Sequence, residues 1–125
     1  MNKYHLFRGK REDTGEWVIG SLFIWREERY ISPLNAPNLA KFSVIPETVG
    51  QCIGSEDKNG ELVFDGDIIK IRGGGFDCAK IKWDESLCGF VADVKFDCTD
   101  INELPPFEVI GNIYDNPELW EGGAP

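Results

Sequence analysis

The feature that most constrains this chain is the rhythm of its turns. Short apolar stretches are cut off by Gly, Pro, Asn-Gly or Asp-Gly signals at intervals of about 8–12 residues. No amphipathic run of helical period reaches ten residues. A chain punctuated in this way is expected to be mainly β, a small antiparallel barrel or sandwich, because neither helix pairs nor βαβ units have the run lengths they need. Only Pro46–Gly50 and the chain ends suit helical turns.

In order, Tyr4–Arg8 alternates as a strand and Gly9–Gly15 closes it as a charged loop. Glu16–Trp25 (EWVIGSLFIW) is expected to be one long strand with a bulge or bend at Gly20-Ser21. Arg26–Arg29 is a charged turn, and Tyr30-Ile31 opens the return strand. Ser32–Lys41, with two prolines and two asparagines, reads as an exposed loop. Pro46 sets a turn that ends at Gly50. Asn59-Gly60 marks a hairpin in which both turn residues tolerate positive φ. Asp65-Gly66-Asp67 is a second corner, with Gly66 free to take positive φ. Gly73-Gly74-Gly75 is expected to be a mobile hairpin tip, since no phosphate-loop pattern surrounds it. Cys78–Trp83 and Gly89–Phe96 pair about Asp84–Leu87. Phe107–Ile113 is the last strand, interrupted at Gly111-Asn112. Asn116 is placed as N-cap and Pro117 as first residue of a terminal helical turn, and residues 121–125 are expected to fray.

The 125 residues suit a single domain over 1–125. A net charge of −9 argues against a duplex-binding surface, which needs cations to displace counterions from phosphates. No apolar run approaches the length of a membrane span. The first residues, Met1–Arg8, lack a signal-peptide apolar region, so the expectation is a cytoplasmic protein. Cys52, Cys78, Cys88 and Cys98 are accordingly expected to be free thiols, mostly buried.

Each candidate for chemistry has a plainer structural reading. With Ser55 at position 1 of a calcium loop, Asp57, Asn59 and Gly60 fall at positions 3, 5 and 6, but Gly66 stands where a bidentate Glu is needed. A hairpin explains the same residues. Ten-residue spacing of Cys78, Cys88 and Cys98 suggests neighbouring strands, yet zinc ligands usually come in close pairs. His5, the sole imidazole, has no nucleophile motif around it. Asp65 and Asp67 would suit acid–base work in an apolar pocket, but a turn accounts for them. Trp17, Trp25 and Tyr30 would make a stacking platform, although strands that bury one face more often place such rings in the core. No catalytic, metal or cofactor site is therefore assigned, and the chain is expected not to be an enzyme.

Val44-Ile45-Pro46-Glu47-Thr48-Val49-Gly50-Gln51, then Gly54, Asp57-Lys58-Asn59-Gly60 and Gly66-Asp67-Ile68-Ile69, resembles the central signature of the YopX-like proteins of phages and prophages. Val109–Leu119 (VIGNIYDNPEL) resembles that family's closing motif, and Phe7-Arg8 with Gly20-Ser21-Leu22 is similar to its N-terminal part. The resemblance implies a mainly β protein with two β subdomains, 1–61 and an SH3-type barrel over 62–120, in a bacterial cytoplasm. It implies no activity and no functional residues. The signature turns are Pro46, Gly50, Asn59, Gly60, Gly66, Asp67, Gly111, Asn112, Asn116 and Pro117. The expected role is a non-enzymatic binding or assembly module that takes a protein partner or a second copy of itself. The alternative is a nucleic-acid-binding accessory protein, with Lys70, Arg72, Lys80 and Lys82 aligned on one face of the small barrel.

Overall fold

The computed structural model describes residues 5–33, 41–71, 78–94 and 98–121. Over these residues the chain is mainly β, with eleven strands in two antiparallel sheets and a single short α-helix. Among the described residues, no helix is long and apolar enough to cross a membrane. The loop expected over Ser32–Lys41 lies largely outside the described residues, as do Gly73–Gly75, Arg72 and the tail beyond Glu121.

Contacts divide the chain into two compact units, Met1–Gly54 and Ser55–Pro125. The first holds β1 (Phe7–Lys10), β2 (Trp17–Trp25), β3 (Glu28–Pro33) and β4 (Phe42–Ser43). These lie in the order β4-β3-β2-β1, with β5 (Gly50–Glu56) next to β1 and β6 (Leu62–Phe64) completing the sheet. Strand β5 runs across the division between the units. Val18, Ile31 and Val44 form the first unit's core, joined by Phe7, Leu22, Phe42 and Val49. The β2–β3 register is continuous from Gly20 opposite Pro33 to Trp25 opposite Glu28. No register shift therefore marks the bulge expected at Gly20-Ser21. Gly20 answers a different need, since a Cβ there would collide with the Ser32 carbonyl.

The second unit is a meander. Strands β7 (Asp67–Ile71), β8 (Cys78–Asp84), β9 (Gly89–Asp93) and β10 (Cys98–Asp100) pair in succession. A 3-10 turn, Ile101–Glu103, leads to β11 (Phe107–Asn112), which returns to pair with β7. The order is β10-β9-β8-β7-β11, and among the described residues no pairing closes it into a barrel. Ile68 and Ile69 point to opposite faces of β7, yet both are fully buried. Each such side chain contributes about 1.5–3 kcal/mol of burial. The helix α1 (Pro117–Glu121) ends the described chain.

Candidate functional site

The signature residues of the second unit bind one another. Asp57 is buried; its Oδ1 accepts the N–H groups of Asn59 and Glu61, and its Oδ2 accepts that of Val109, each at 2.9 Å. Lys58 N–H adds a bond to the Phe107 carbonyl at 3.0 Å. Burial pushes the Asp57 carboxyl up, but the three N–H donors and the nearby Lys58 outweigh it and hold the group below the usual carboxylate range. The tight turn carries positive φ at Gly60 alone (83°), while Asn59 keeps negative φ. The two-residue turn expected at Asn59-Gly60 is thus replaced by a type I turn closed by Gly60 N–H on the Asp57 carbonyl, followed by a left-handed glycine. The Asp57 side chain, folded onto Asn59 N–H, selects that geometry.

Gly66, at φ 93°, donates to the Ile81 carbonyl and accepts the Ile113 N–H, so the Asp-Gly-Asp corner is tied to the end of β11. Asp67 Oδ2 accepts the Phe64 N–H across that corner at 2.8 Å. At the closing motif, Asn112 Oδ1 accepts the N–H groups of Tyr114 and Asp115. Asn116 occupies the N-cap position before Pro117, but its side chain turns back, with Oδ1 3.4 Å from the Asn112 N–H. It is packed against Gly111, where a Cβ would come within 2.6 Å of that oxygen. The interruption foreseen at Gly111-Asn112 is a register shift between Val109 and Gly111.

In the first unit Pro46 opens a 3-10 turn, Pro46–Thr48. The Thr48 hydroxyl donates to the Ile45 carbonyl and accepts the Lys10 N–H at 2.9 Å. Gly50 sits opposite Arg8 in the β1–β5 pair.

The candidates for chemistry are scattered. Cys78 begins β8 and Cys88 lies in the turn after it, about 20 Å of strand apart. Cys98 begins β10, separated from β8 by β9. The ten-residue spacing therefore does not make these thiols neighbours on adjacent strands. Among the described cysteines Cys52 is buried, Cys78 and Cys98 are half-buried and Cys88 is exposed, so the mostly buried expectation is corrected. Among the described residues, no three His, Cys, Asp or Glu side chains form a group that could hold a metal. His5 is exposed. Lys70, Lys80 and Lys82 do share a sheet face, but Glu108 stands opposite Lys70 and Asp93 opposite Lys80. Asp93 also pairs with Lys82 at 3.5 Å. Carboxylates thus stand among the three lysines on this face.

What remains is a surface on the β2–β3 hairpin. Ile19, Phe23 and Trp25 fall on one side of β2 by strand alternation, and Ile24 on the other. Trp25 is 59% exposed and Ile24 56%, which overturns the core reading of Trp25; Trp17 and Tyr30 are half-buried. Phe23 stacks on Tyr30, its cross-strand partner, at 5.2 Å between ring centres. Cations lie over these rings: Lys41 over Tyr30 and Phe23 at 4.9 and 5.3 Å, and Arg26 over Trp25 at 5.6 Å. Glu28, on the same side, accepts the Tyr30 hydroxyl at 2.7 Å. The turn itself is strained, with Arg26 at φ 51° and Glu27 at φ 70°. Two-residue hairpins of that kind normally use Asn-Gly. The available sequence signal was three consecutive bulky apolar residues, Phe23-Ile24-Trp25, directly before a turn. An alternating strand would bury only one side of them.

A family model described as YopX protein matches residues 6–121 of the chain. No curated protein matches it.

Proposed function

The chain belongs to the YopX protein family, and from that premise we propose that it is a non-enzymatic protein-binding module whose contact surface is the β2–β3 hairpin. The observation that carries this reading is Phe23-Ile24-Trp25, apolar and exposed on both sides of a hairpin. Exposed aromatic residues held by cross-strand stacking lose little side-chain entropy on binding and are the residue types that anchor protein interfaces. For the second unit, an open sheet among the described residues, an SH3-type reading is supported by the order β10-β9-β8-β7-β11 with a 3-10 turn before the last strand. The resemblance of the motifs to phage and prophage proteins supports a role in a bacterial cytoplasm during phage growth.

The test is a photo-crosslinking residue placed at position 25, with position 47 as an exposed control on another element. Discrete protein adducts at 25, lost on Phe23→Ser and absent at 47, support the reading. Equal labelling at the two positions overturns it.

A further inference from the structure

We propose that Asn59 is a modification site, where the chain deamidates spontaneously through a cyclic imide, and that Asp57 sets the rate by holding the turn shut. The site belongs to the second unit and is independent of the binding surface proposed for the first.

The chemistry is local. The Gly60 amide nitrogen attacks Asn59 Cγ and closes a five-membered ring. The Cγ–Nδ2 bond breaks, and the departing amide nitrogen takes the proton lost by Gly60 and leaves as ammonia. Water then opens the ring at either carbonyl, giving aspartate or isoaspartate. Glycine favours the attack because no Cβ obstructs its nitrogen. Asn59 alone among the asparagines precedes a glycine, and Asn116 precedes a proline, which has no N–H to lose. Asn59 and Gly60 are both exposed, and a Cβ on Gly60 would meet nothing within 4 Å. Neither the ring nor the water that opens it is obstructed.

The hydrogen bonds of the turn act the other way. Gly60 N–H, the group that must lose its proton, is donated to the Asp57 carbonyl at 3.0 Å. Asn59 N–H is fixed on Asp57 Oδ1 at 2.9 Å, and its Nδ2 reaches Glu108 Oε2 at 3.4 Å. Ring closure needs the Asn59 side chain and the following peptide to rotate towards each other. The same carboxylate holds the Glu61 and Val109 N–H groups, so opening the turn breaks several bonds at once. Closure of the ring therefore proceeds from the opened turn, in proportion to its population.

The product undoes the turn. Both products replace the Nδ2 donor with a carboxylate oxygen beside Glu108, and isoaspartate also adds a carbon to the backbone. The turn then loses its fit to β11, where Lys58 and Asp57 hold the Phe107 carbonyl and the Val109 N–H. A held strand edge becomes an open one.

Peptide mapping of the full chain after incubation at mildly alkaline pH tests the proposal. Deamidation is expected at Asn59 before any other asparagine, and about tenfold or more faster in urea than in the folded chain. Asp57→Ala, kept under conditions where circular dichroism shows it folded, should move the folded rate towards the rate in urea. Glu108→Ala leaves the Asp57 bonds in place and should move it less. If Asp57→Ala does not fold, Asp57→Asn, which keeps one acceptor oxygen, takes its place and should give an intermediate rate. Amide exchange at Val109 should be faster in the deamidated fraction. Equal rates in the folded chain and in urea overturn the proposal, as does earlier loss at another asparagine. A folded Asp57 variant that deamidates no faster than the wild type overturns it too.

Discussion

Asp57 Oδ2 accepts the Val109 N–H at 2.9 Å across 52 residues of chain, joining the turn after β5 to the middle of β11. Strand β11 is the edge of its sheet, and the groups on its open side are taken up by this turn, the Phe107 carbonyl by Lys58 N–H and the Val109 N–H by Asp57. Asp57→Ala removes a buried acceptor for three N–H groups. The expected loss is about 2–3 kcal/mol, measured by urea unfolding.

The same carboxylate predicts an acid dependence. Its folded-state pKa is depressed, so its contribution to stability is fully present above the unfolded value of about 3.9 and is lost as pH falls through the lower folded value. Asp57→Asn cannot titrate at this position. The gap in unfolding free energy between the wild type and Asp57→Asn should be constant near neutrality and shrink below about pH 4. A gap that stays constant down to the acid transition would show that Asp57 is not the titrating group.

Gly111 predicts a different kind of failure. A Cβ there would meet Asn116 Oδ1 at 2.6 Å and Leu119 Cδ1 at 2.9 Å. Gly111→Ala should cost about 1–3 kcal/mol through overpacking. Pairing it with Asn116→Ala opens the space the methyl needs, so the double variant should lose less than the sum of the two singles. Unfolding curves of the four proteins give the coupling directly.

The β architecture and most turns were legible in the sequence because turn chemistry is local. Gly60 and Gly66 have the positive φ that their tetrapeptides demand, and Pro46 opens its 3-10 turn. The departures came where a side chain or a facing strand decided the matter. Asn59 took negative φ because its own N–H is held by Asp57. At Gly20, where a bulge or bend is expected, the β2–β3 register shows no bulge and the glycine is a point of close approach to Ser32. Asn116 stands at the N-cap position before Pro117, and its side chain in addition packs against Gly111. Trp25 was assigned to the core on propensity, whereas a hairpin reaching past the packed part of its sheet leaves it in water. Periodicity shows which residues share a face, not whether anything covers that face.

For Lys70, Lys80 and Lys82, the cross-strand carboxylates predict a negative result. With Glu108 and Asp93 on the same face, few counterions are released when phosphates approach. A gel shift at low salt with single- and double-stranded DNA and RNA should show no retardation. Retardation that disappears on Lys80→Glu would restore the face as a nucleic-acid site.

The strained turn at Arg26-Glu27 offers a test of whether the hairpin was shaped for stability. Both residues occupy the left-handed region, which costs a non-glycine residue roughly 1–2 kcal/mol. Replacing the pair with Asn-Gly suits the same two-residue turn, so the double substitution should raise unfolding free energy by about 1–2 kcal/mol. It also removes the Arg26 guanidinium from the Trp25 ring. A variant that is more stable yet associates more weakly with its partner, as read by crosslinking at position 25, would locate the reason for Arg26 in binding, since folding alone would favour the replacement. Single substitutions separate the two effects: Glu27→Gly should relieve strain and leave association intact, while Arg26→Asn should weaken it. Equal association by both single variants would mean that the cation over Trp25 takes no part in the contact.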